Sequence, residues 1–327
     1  MKALAYDIAH PVTAFTLAEV NVAEPVLRDG DLLVEIRAVG FNPVDTKIRT
    51  NRSGSDGKPV ILGWDASGVV IGKGPAVSGF EIGDAVYYAG DLTRDGAYAE
   101  RQAVDHRLVA KKPVSLSFAE AAAVPLTALT AWEMLFEQFS LPRAEAFDLL
   151  VIGGAGGVGS LAIQFAKALT KASVYSTSGR QESADWLRTL GVDGILDRKQ
   201  PLKGAGFGPF RYVFSTTHSA LYLDQLSDIM EPFGTFGLID DPKGFDISPL
   251  KRKALKVAWE FMFAKSMFDY HPETQGRILA EVATLIDAGR VRTTLSRTLD
   301  GLTTENVRQA HQILESGEAV GKIVAVL

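Results

Sequence analysis

From Lys2 to about Lys112 the chain runs in short apolar stretches cut by Gly, Pro, Asn and Asp, the texture of a β-rich region. Leu33 to Val39 alternates, with Val34, Ile36 and Ala38 on one face and Glu35 and Arg37 on the other, which predicts a strand with one wet face. Ser67 to Gly72 and Asp84 to Tyr88 predict two more. At Ser117 the pattern turns helical: a hydroxyl cap stands three residues ahead of Glu120 and opens the Ala-rich run to Val124. Pro125 lacks the N–H that a helix interior needs, so the helix should break before Leu126 and resume toward Trp132 and Phe136.

From Asp148 to about Phe236 strand-like apolar runs alternate with amphipathic ones, which predicts parallel strands joined by crossover helices and therefore a second domain. After Phe245 the texture is helix-rich. Pro272 stands where a first-turn proline belongs, Ile278 to Ile286 is amphipathic, and Gly289 is a stop. Thr303 or Thr304 caps a further helix ending near Gly317. The run Lys322 to Leu327 reads as a strand with no partner in the α/β region, so it is expected to rejoin the first domain's sheet.

Composition narrows the possible functions. At 327 residues, with 46% hydrophobic and 22% charged, the chain suits two soluble domains. Lys and Arg number 34 against 39 Asp and Glu, a net charge of −5 without long blocks, which argues against nucleic acid or an anionic membrane as partners. Cysteine is absent, which excludes disulfides, thiolate nucleophiles, iron–sulfur clusters and every zinc site that needs sulfur. No window approaches the ~20 apolar residues of a membrane span, and Met1 to Val20 lacks a leader pattern, so the expected location is the cytoplasm. Each of the five histidines reads as a structural residue in a loop, a cap or on a helix face.

The chemistry is carried by one motif. Leu149 to Ile152 fits a buried parallel strand and runs into Gly153-Gly154-Ala155-Gly156-Gly157-Val158-Gly159, followed by helix-like sequence from Ser160 to Leu169. Gly154, Gly156 and Gly159 satisfy the G-x-G-x-x-G fingerprint of Rossmann dinucleotide binding, in the strand-before, helix-after context it requires. Backbone N–H groups from Gly154 to Gly159 would then meet a pyrophosphate at the helix start. The next strand, Ser173 to Thr177, ends in Ser176-Thr177-Ser178-Gly179-Arg180, where an NAD site would carry an acid for the ribose hydroxyls. Hydroxyls and a cation suit a 2′-phosphate, so NADPH is the expected cofactor, with Arg180 as its anchor and Arg198 assisting at the adenine end. Ser215 with Thr216, and Leu238 with Ile239, end two further strands and should line the cofactor crevice.

Taken with Gly40-Phe41-Asn42-Pro43-Val44-Asp45, Gly63-Trp64-Asp65-Ala66-Ser67-Gly68, Gly83-Asp84-Ala85-Val86-Tyr87-Tyr88, the run Val124 to Ala131, and Gly321-Lys322-Ile323-Val324, the chain resembles the medium-chain dehydrogenase/reductase superfamily. Within it, the likeness is to the zinc-independent, quinone oxidoreductase-like branch and covers essentially the whole length. The resemblance implies an α/β protein: a GroES-like β-barrel catalytic domain over 1–123 and 268–327, and a Rossmann doubly wound parallel sheet binding NADPH over 124–267. Zinc-bearing relatives have a cysteine near Asn42, a histidine near Trp64 and a four-cysteine lobe, none of which is present here.

The zinc-free branch implies hydride transfer to a quinone or to the C=C bond of an α,β-unsaturated carbonyl, which needs only hydrogen-bond donors at the carbonyl oxygen. Asn42 and Asp45 then lie on the loop facing nicotinamide and substrate, with Asn42 also a candidate for the carboxamide or ribose. Thr127 resembles a residue that contacts the nicotinamide-side ribose or phosphate. Tyr88 is a candidate proton donor that serves equally well as packing, and Trp64 reads as an apolar wall. The nicotinamide is expected in a cleft bounded by Asn42, Asp45, Trp64, Tyr88 and Thr127. A homodimer is implied, its last Rossmann strands near Phe236 and Phe245 to Ile247 pairing across a two-fold axis. Two alternatives stay open: an NADPH-binding protein with a sensing or structural role, and a metal-dependent alcohol dehydrogenase using non-cysteine ligands.

Overall fold

Strand Asp31–Gly40 is the spine of the first unit: at ten residues it is long enough to take three partners. It pairs antiparallel with Ala66–Lys73 on one side, and on the other with Arg101–Asp105 and Lys322–Val326. Val34, Ile36 and Ala38 are buried as their alternation requires. The sheet order is Leu295–Asp300, Lys322–Val326, Asp31–Gly40, Ala66–Lys73, Ala85–Tyr88 and Val109–Lys111. A smaller sheet orders Ala18–Asn21, Lys2–Tyr6 and Val60–Ile61. The run at Lys322 thus returns to the first domain's sheet, with Val324 opposite Gly40.

The second unit is one parallel sheet in the order Gly194–Asp197, Lys171–Ser178, Ala146–Ile152, Phe210–Ser215, Met230–Leu238 and Lys256–Trp259. Numbered along the chain this is 3-2-1-4-5-6, the doubly wound arrangement whose direction reverses between Ala146–Ile152 and Phe210–Ser215. Leu149 to Ile152 are buried without alternation, as a strand covered on both faces should be. Helices Gly157–Leu169, Gln181–Thr189 and Leu223–Ile229 supply the crossovers.

This computed structural model describes all 327 residues and divides them into Met1–Leu129 with Phe263–Leu327, and Thr130–Met262. The divisions stand a few residues from 123/124 and 267/268, the first of them for a local reason. Pro125 does split the helical stretch, into Phe118–Ala122 and Pro125–Trp132, but Leu126 N–H donates to Asp65 Oδ1, which holds the start of the second helix in the first unit. Ser117 and Glu120 form the reciprocal cap, with Glu120 N–H on Ser117 Oγ at 3.2 Å and Ser117 N–H on Glu120 Oε2 at 2.8 Å. One expectation is corrected. Phe245 to Ile247 forms no strand, because Phe245 packs its ring on Phe236 and Trp259 and Asp246 accepts Ser248 N–H. The outer strand is Lys256–Trp259, and Phe236 is fully buried inside Met230–Leu238. No helix is long and apolar enough to cross a membrane.

Candidate cofactor and substrate sites

The three fingerprint glycines have different physical reasons. A Cβ on Gly154 would stand 2.1 Å from Ser176 Oγ, and one on Gly159 would stand 2.5 Å from Gly154 Cα, so strand and helix packing forbid side chains there. At Gly156 a Cβ would meet only Gly153 O, at 3.7 Å, and its φ of −74° suits any residue. Nothing in the chain demands that glycine. The open space beside it, at the cap of the 13-residue helix Gly157–Leu169, is where backbone N–H groups can receive a diphosphate. Ala155 is buried behind the turn, whereas Gly156, Gly157 and Val158 are half-buried. The residues present fit a dinucleotide.

The neighbouring strand end divides its labour. Ser176 Oγ donates to Val151 O at 2.8 Å, and Thr177 Oγ1 accepts Gly153 N–H at 3.1 Å, so these two hydroxyls brace the glycine turn. Ser178 Oγ donates to Arg180 O at 2.9 Å and shapes the turn into helix Gln181–Thr189. Arg198 N–H donates to Ser178 O, and its side chain lies across Gly179, where a Cβ would stand 2.5 Å from Arg198 Nε. Two guanidinium residues therefore flank the strand end with no carboxylate in the Ser176 to Arg180 segment. Next to the glycine turn, Thr216 Oγ1 donates to Ile152 O and Gly153 O. Ser215 and Leu238 are fully buried and Ile239 is half-buried.

In the first unit the predicted loop is the edge of a buried polar cluster. Asn42 caps helix Pro43–Asn51, and its own N–H donates to Asp45 Oδ2 at 2.7 Å. Lys322, whose side chain is only 4% exposed, donates from Nζ to Phe41 O (2.8 Å), Asn42 Oδ1 (2.6 Å) and Asp65 Oδ2 (2.9 Å). Asn42 Nδ2 donates to the same Asp65 oxygen at 2.9 Å, and Leu126 N–H to the other at 2.8 Å. Gly40 makes room for this: a Cβ there would stand 3.0 Å from Asp65 Cβ as well as 2.4 Å from Ala122 O.

Burial pushes Asp65 above its ordinary range while Lys322 pulls it back, and the ammonium with its two further donors favours the carboxylate. Burial pushes the Asp45 carboxyl up to about 7, opposed by Asn42 N–H and Lys322.

Behind Asp45 stands Tyr98, whose hydroxyl lies 3.4 Å from His311 Nε2. Arg49, which can only donate, sits 3.0 Å from His311 Nδ1, so that nitrogen accepts and the ring proton belongs on Nε2. Nε2–H then points at the Tyr98 oxygen, and Tyr98 O–H is free to turn to Asp45 Oδ1, a buried oxygen with no other partner. His311 stays neutral, its pKa pushed down to about 3 by burial and by Arg49. Arg49 ends the chain of contacts on Glu315.

The remaining first-unit candidates are engaged locally. Tyr88 is fully buried, its hydroxyl donating to Gln102 Oε1 at 2.9 Å, a position that speaks for packing rather than proton delivery. Thr127 Oγ1 donates to Val124 O at 3.0 Å inside its own helix. Trp64 Nε1–H donates to Asp91 O, and its ring meets Phe263 edge-on. A zinc ion does not fit this donor set. The Asn42 amide oxygen already receives an ammonium, the Trp64 indole is a donor, and no three His, Cys, Asp or Glu side chains are grouped to hold a metal. Sequence reasoning missed Asp65 and Lys322 as partners of Asn42, and Tyr98, His311 and Arg49 as supports of Asp45.

A doubly wound unit with a diphosphate-ready glycine turn, joined to a barrel-type unit, is the two-part fold of the alcohol dehydrogenase-like oxidoreductases. Residues 28–115 match the family model for the alcohol dehydrogenase GroES-like domain, and 181–325 the model for zinc-binding dehydrogenases. A zinc-type alcohol dehydrogenase-like protein of Staphylococcus aureus is 35% identical over 92% of both chains. A Rhizobium etli crystal structure, described as a candidate zinc-dependent alcohol dehydrogenase, superposes with a TM-score of 0.96 at 41% identity, covering 100% of this chain and 98% of that one. An Arabidopsis thaliana chloroplastic NADPH-dependent alkenal/one oxidoreductase is 29% identical over 99% of this chain and 79% of its own. The chain belongs to the medium-chain dehydrogenase/reductase superfamily.

Proposed function

We propose that this protein is an NADPH-dependent reductase of quinones or of the C=C bond of α,β-unsaturated carbonyls, working without zinc. The observation that carries this reading is the Asn42 cluster, where an ammonium held by Phe41, Asn42 and Asp65 takes the coordination a metal would need. Such acceptors need no Lewis acid, because the carbonyl delocalises the incoming charge and a hydrogen-bond donor steadies its oxygen. The bound nicotinamide would supply the hydride. Gly154 to Gly159 would hold its diphosphate, and Arg180 with Arg198 would meet the 2′-phosphate. The Asn42 amide has one N–H beyond its bond to Asp65 and can orient a substrate or carboxamide oxygen. The name of the Arabidopsis relative supports the same cofactor and acceptor class. A homodimer pairing along Lys256–Trp259, where Trp259 is 52% exposed, belongs to this proposal.

The test is an NADPH-consumption screen over quinones, short enals and cyclic enones, run before and after prolonged chelation and with elemental analysis. Turnover that survives chelation, in protein without stoichiometric metal, is the expected result. A stoichiometric metal linked to activity overturns the zinc-free reading. Tight NADPH binding without turnover on any acceptor would favour a sensing or structural role. Light scattering should give twice the 35.2 kDa protomer mass, and a monomer at micromolar concentration refutes the dimer.

A further inference from the structure

Lys322 sits at the head of a strand whose next three residues, Ile323, Val324 and Ala325, are all buried and apolar. A lone ammonium there is a costly group to bury, and the structure surrounds it with three oxygens from two other segments. Those oxygens connect the Asn42 loop with Asp65 and, through it, with the helix start ahead of Thr127. Asn42 Oδ1 is held directly, which fixes which way the amide faces. Asp65 Oδ2 is shared between Lys322 and Asn42 Nδ2. Through its other oxygen Asp65 holds Leu126 N–H, at the start of the helix that carries Thr127.

We propose that Lys322 is the positioning residue of the substrate site: its ammonium sets the orientation of the Asn42 amide and, through Asp65, the placement of the helix start that presents Thr127. This rests on the reductase reading above for its consequence in turnover, though not for the geometry. Without the ammonium the Asn42 amide loses the one charged donor on Oδ1 and keeps only the helix-cap contact from Asp45 N–H and its own bond to position 65. Its remaining N–H would then no longer be aimed.

The test uses full-length protein and three variants. Lys322→Met alone leaves Asp65 as an unpaired buried carboxylate and is expected to unfold readily, so the decisive variant is Lys322→Met with Asp65→Asn, which removes both charges at nearly constant volume. The double variant should bind NADPH within about twofold of the parent, while kcat falls at least tenfold on the best acceptor of the screen. A purely structural pair would give parental kcat once the charges are removed together, and that result overturns the proposal. A second readout does not depend on turnover. In the parent, NMR should show slow exchange for the Asn42 side-chain amide and the Leu126 N–H, and in the double variant the Asn42 amide should lose its protection. If the parent reduces no acceptor, the reductase reading fails and the exchange measurement still decides the role of Lys322, provided that Asp65→Asn alone, which keeps the ammonium on Asn42 Oδ1, retains more protection at the Asn42 amide than the double variant. Unchanged Asn42 protection refutes it.

Discussion

The glycine turn of the second unit and the polar cluster of the first are built by opposite means. The turn is assembled from one continuous stretch, Gly153 to Gly159, braced by hydroxyls from the adjacent strand. The cluster draws Asn42, Asp65, Leu126 and Lys322 from four distant points of the chain, Tyr98 and His311 from two more, and Arg49 from the last turn of the helix that Asn42 caps. The turn works by leaving atoms out. The cluster works by satisfying, with other buried groups, charges that water would otherwise hold. One kind of site therefore tolerates no added carbon at Gly154 or Gly159, and the other tolerates no missing partner.

The sharpest break of this comparison is inside the turn itself. Gly154→Ala drives a methyl into Ser176 Oγ and should cost several kcal/mol, on the order of 2–4, by forcing strand and helix apart. Gly156→Ala meets open space, so thermal unfolding should stay within a degree or two of the parent while NADPH affinity drops at least tenfold. Equal stability losses in the two variants, measured by calorimetry, would mean that Gly156 serves packing and not a ligand.

Asp45 tests the cluster by pH. Its carboxyl is raised from 3.8 to about 7 in the folded protein, so between those values the folded state holds a proton that the unfolded chain has released. Stability from this group is greatest below pH 4 and is lost as pH rises through 7, at about 1.4 kcal/mol per pH unit across the window. The groups facing it are Asn42 N–H, Tyr98, Lys322 and Asp65. Asp45→Asn should flatten that part of the stability profile. A denaturation series from pH 5 to 8 in which parent and variant keep the same slope would remove Asp45 from the titrating groups.

Arg180→Ala asks whether the turn's neighbour reads the cofactor. The Michaelis constant for NADPH should rise roughly tenfold to a hundredfold, the equivalent of one charge-assisted hydrogen bond or slightly more, with NADH almost unaffected. Equal losses for both cofactors would assign Arg180 to the helix start alone. The smallest effect is expected from Tyr88→Phe, which removes one buried hydrogen bond to Gln102, worth about 1 kcal/mol, and should change turnover less than twofold. A large loss of turnover there would return Tyr88 to the role of proton donor.

The same contrast explains what could be read in advance. The Rossmann strand order follows from apolar runs alternating with amphipathic ones, and the glycine turn from seven adjacent residues. Both are local. That Ser176 and Thr177 brace the turn was not legible, because a serine at a strand end looks the same whichever way its hydroxyl points. Asn42 and Asp45 stood out on their loop, but Lys322 is 257 positions from Asp65 and only contact in space relates them. One signal was present: a single lysine leading an otherwise apolar strand, which a buried partner has to explain. The Phe245 to Ile247 stretch misled for the converse reason, since Phe245 alone packs on Phe236 while Ile247 is exposed, and no strand forms.

The return of Lys322–Val326 to strand Asp31–Gly40 also has a meaning in time. When Leu129 emerges from the ribosome, the strand that fills the gap beside Gly40 lies about 190 residues ahead, which at about 5–20 residues per second is a wait of roughly 10–40 s. The Thr130–Met262 unit has all its strands during that interval and can close first. Throughout it, Asp65 is a carboxylate without its ammonium and Asp31–Gly40 a strand with part of one edge unpaired, so the first part of the chain to be made is the last to become dry.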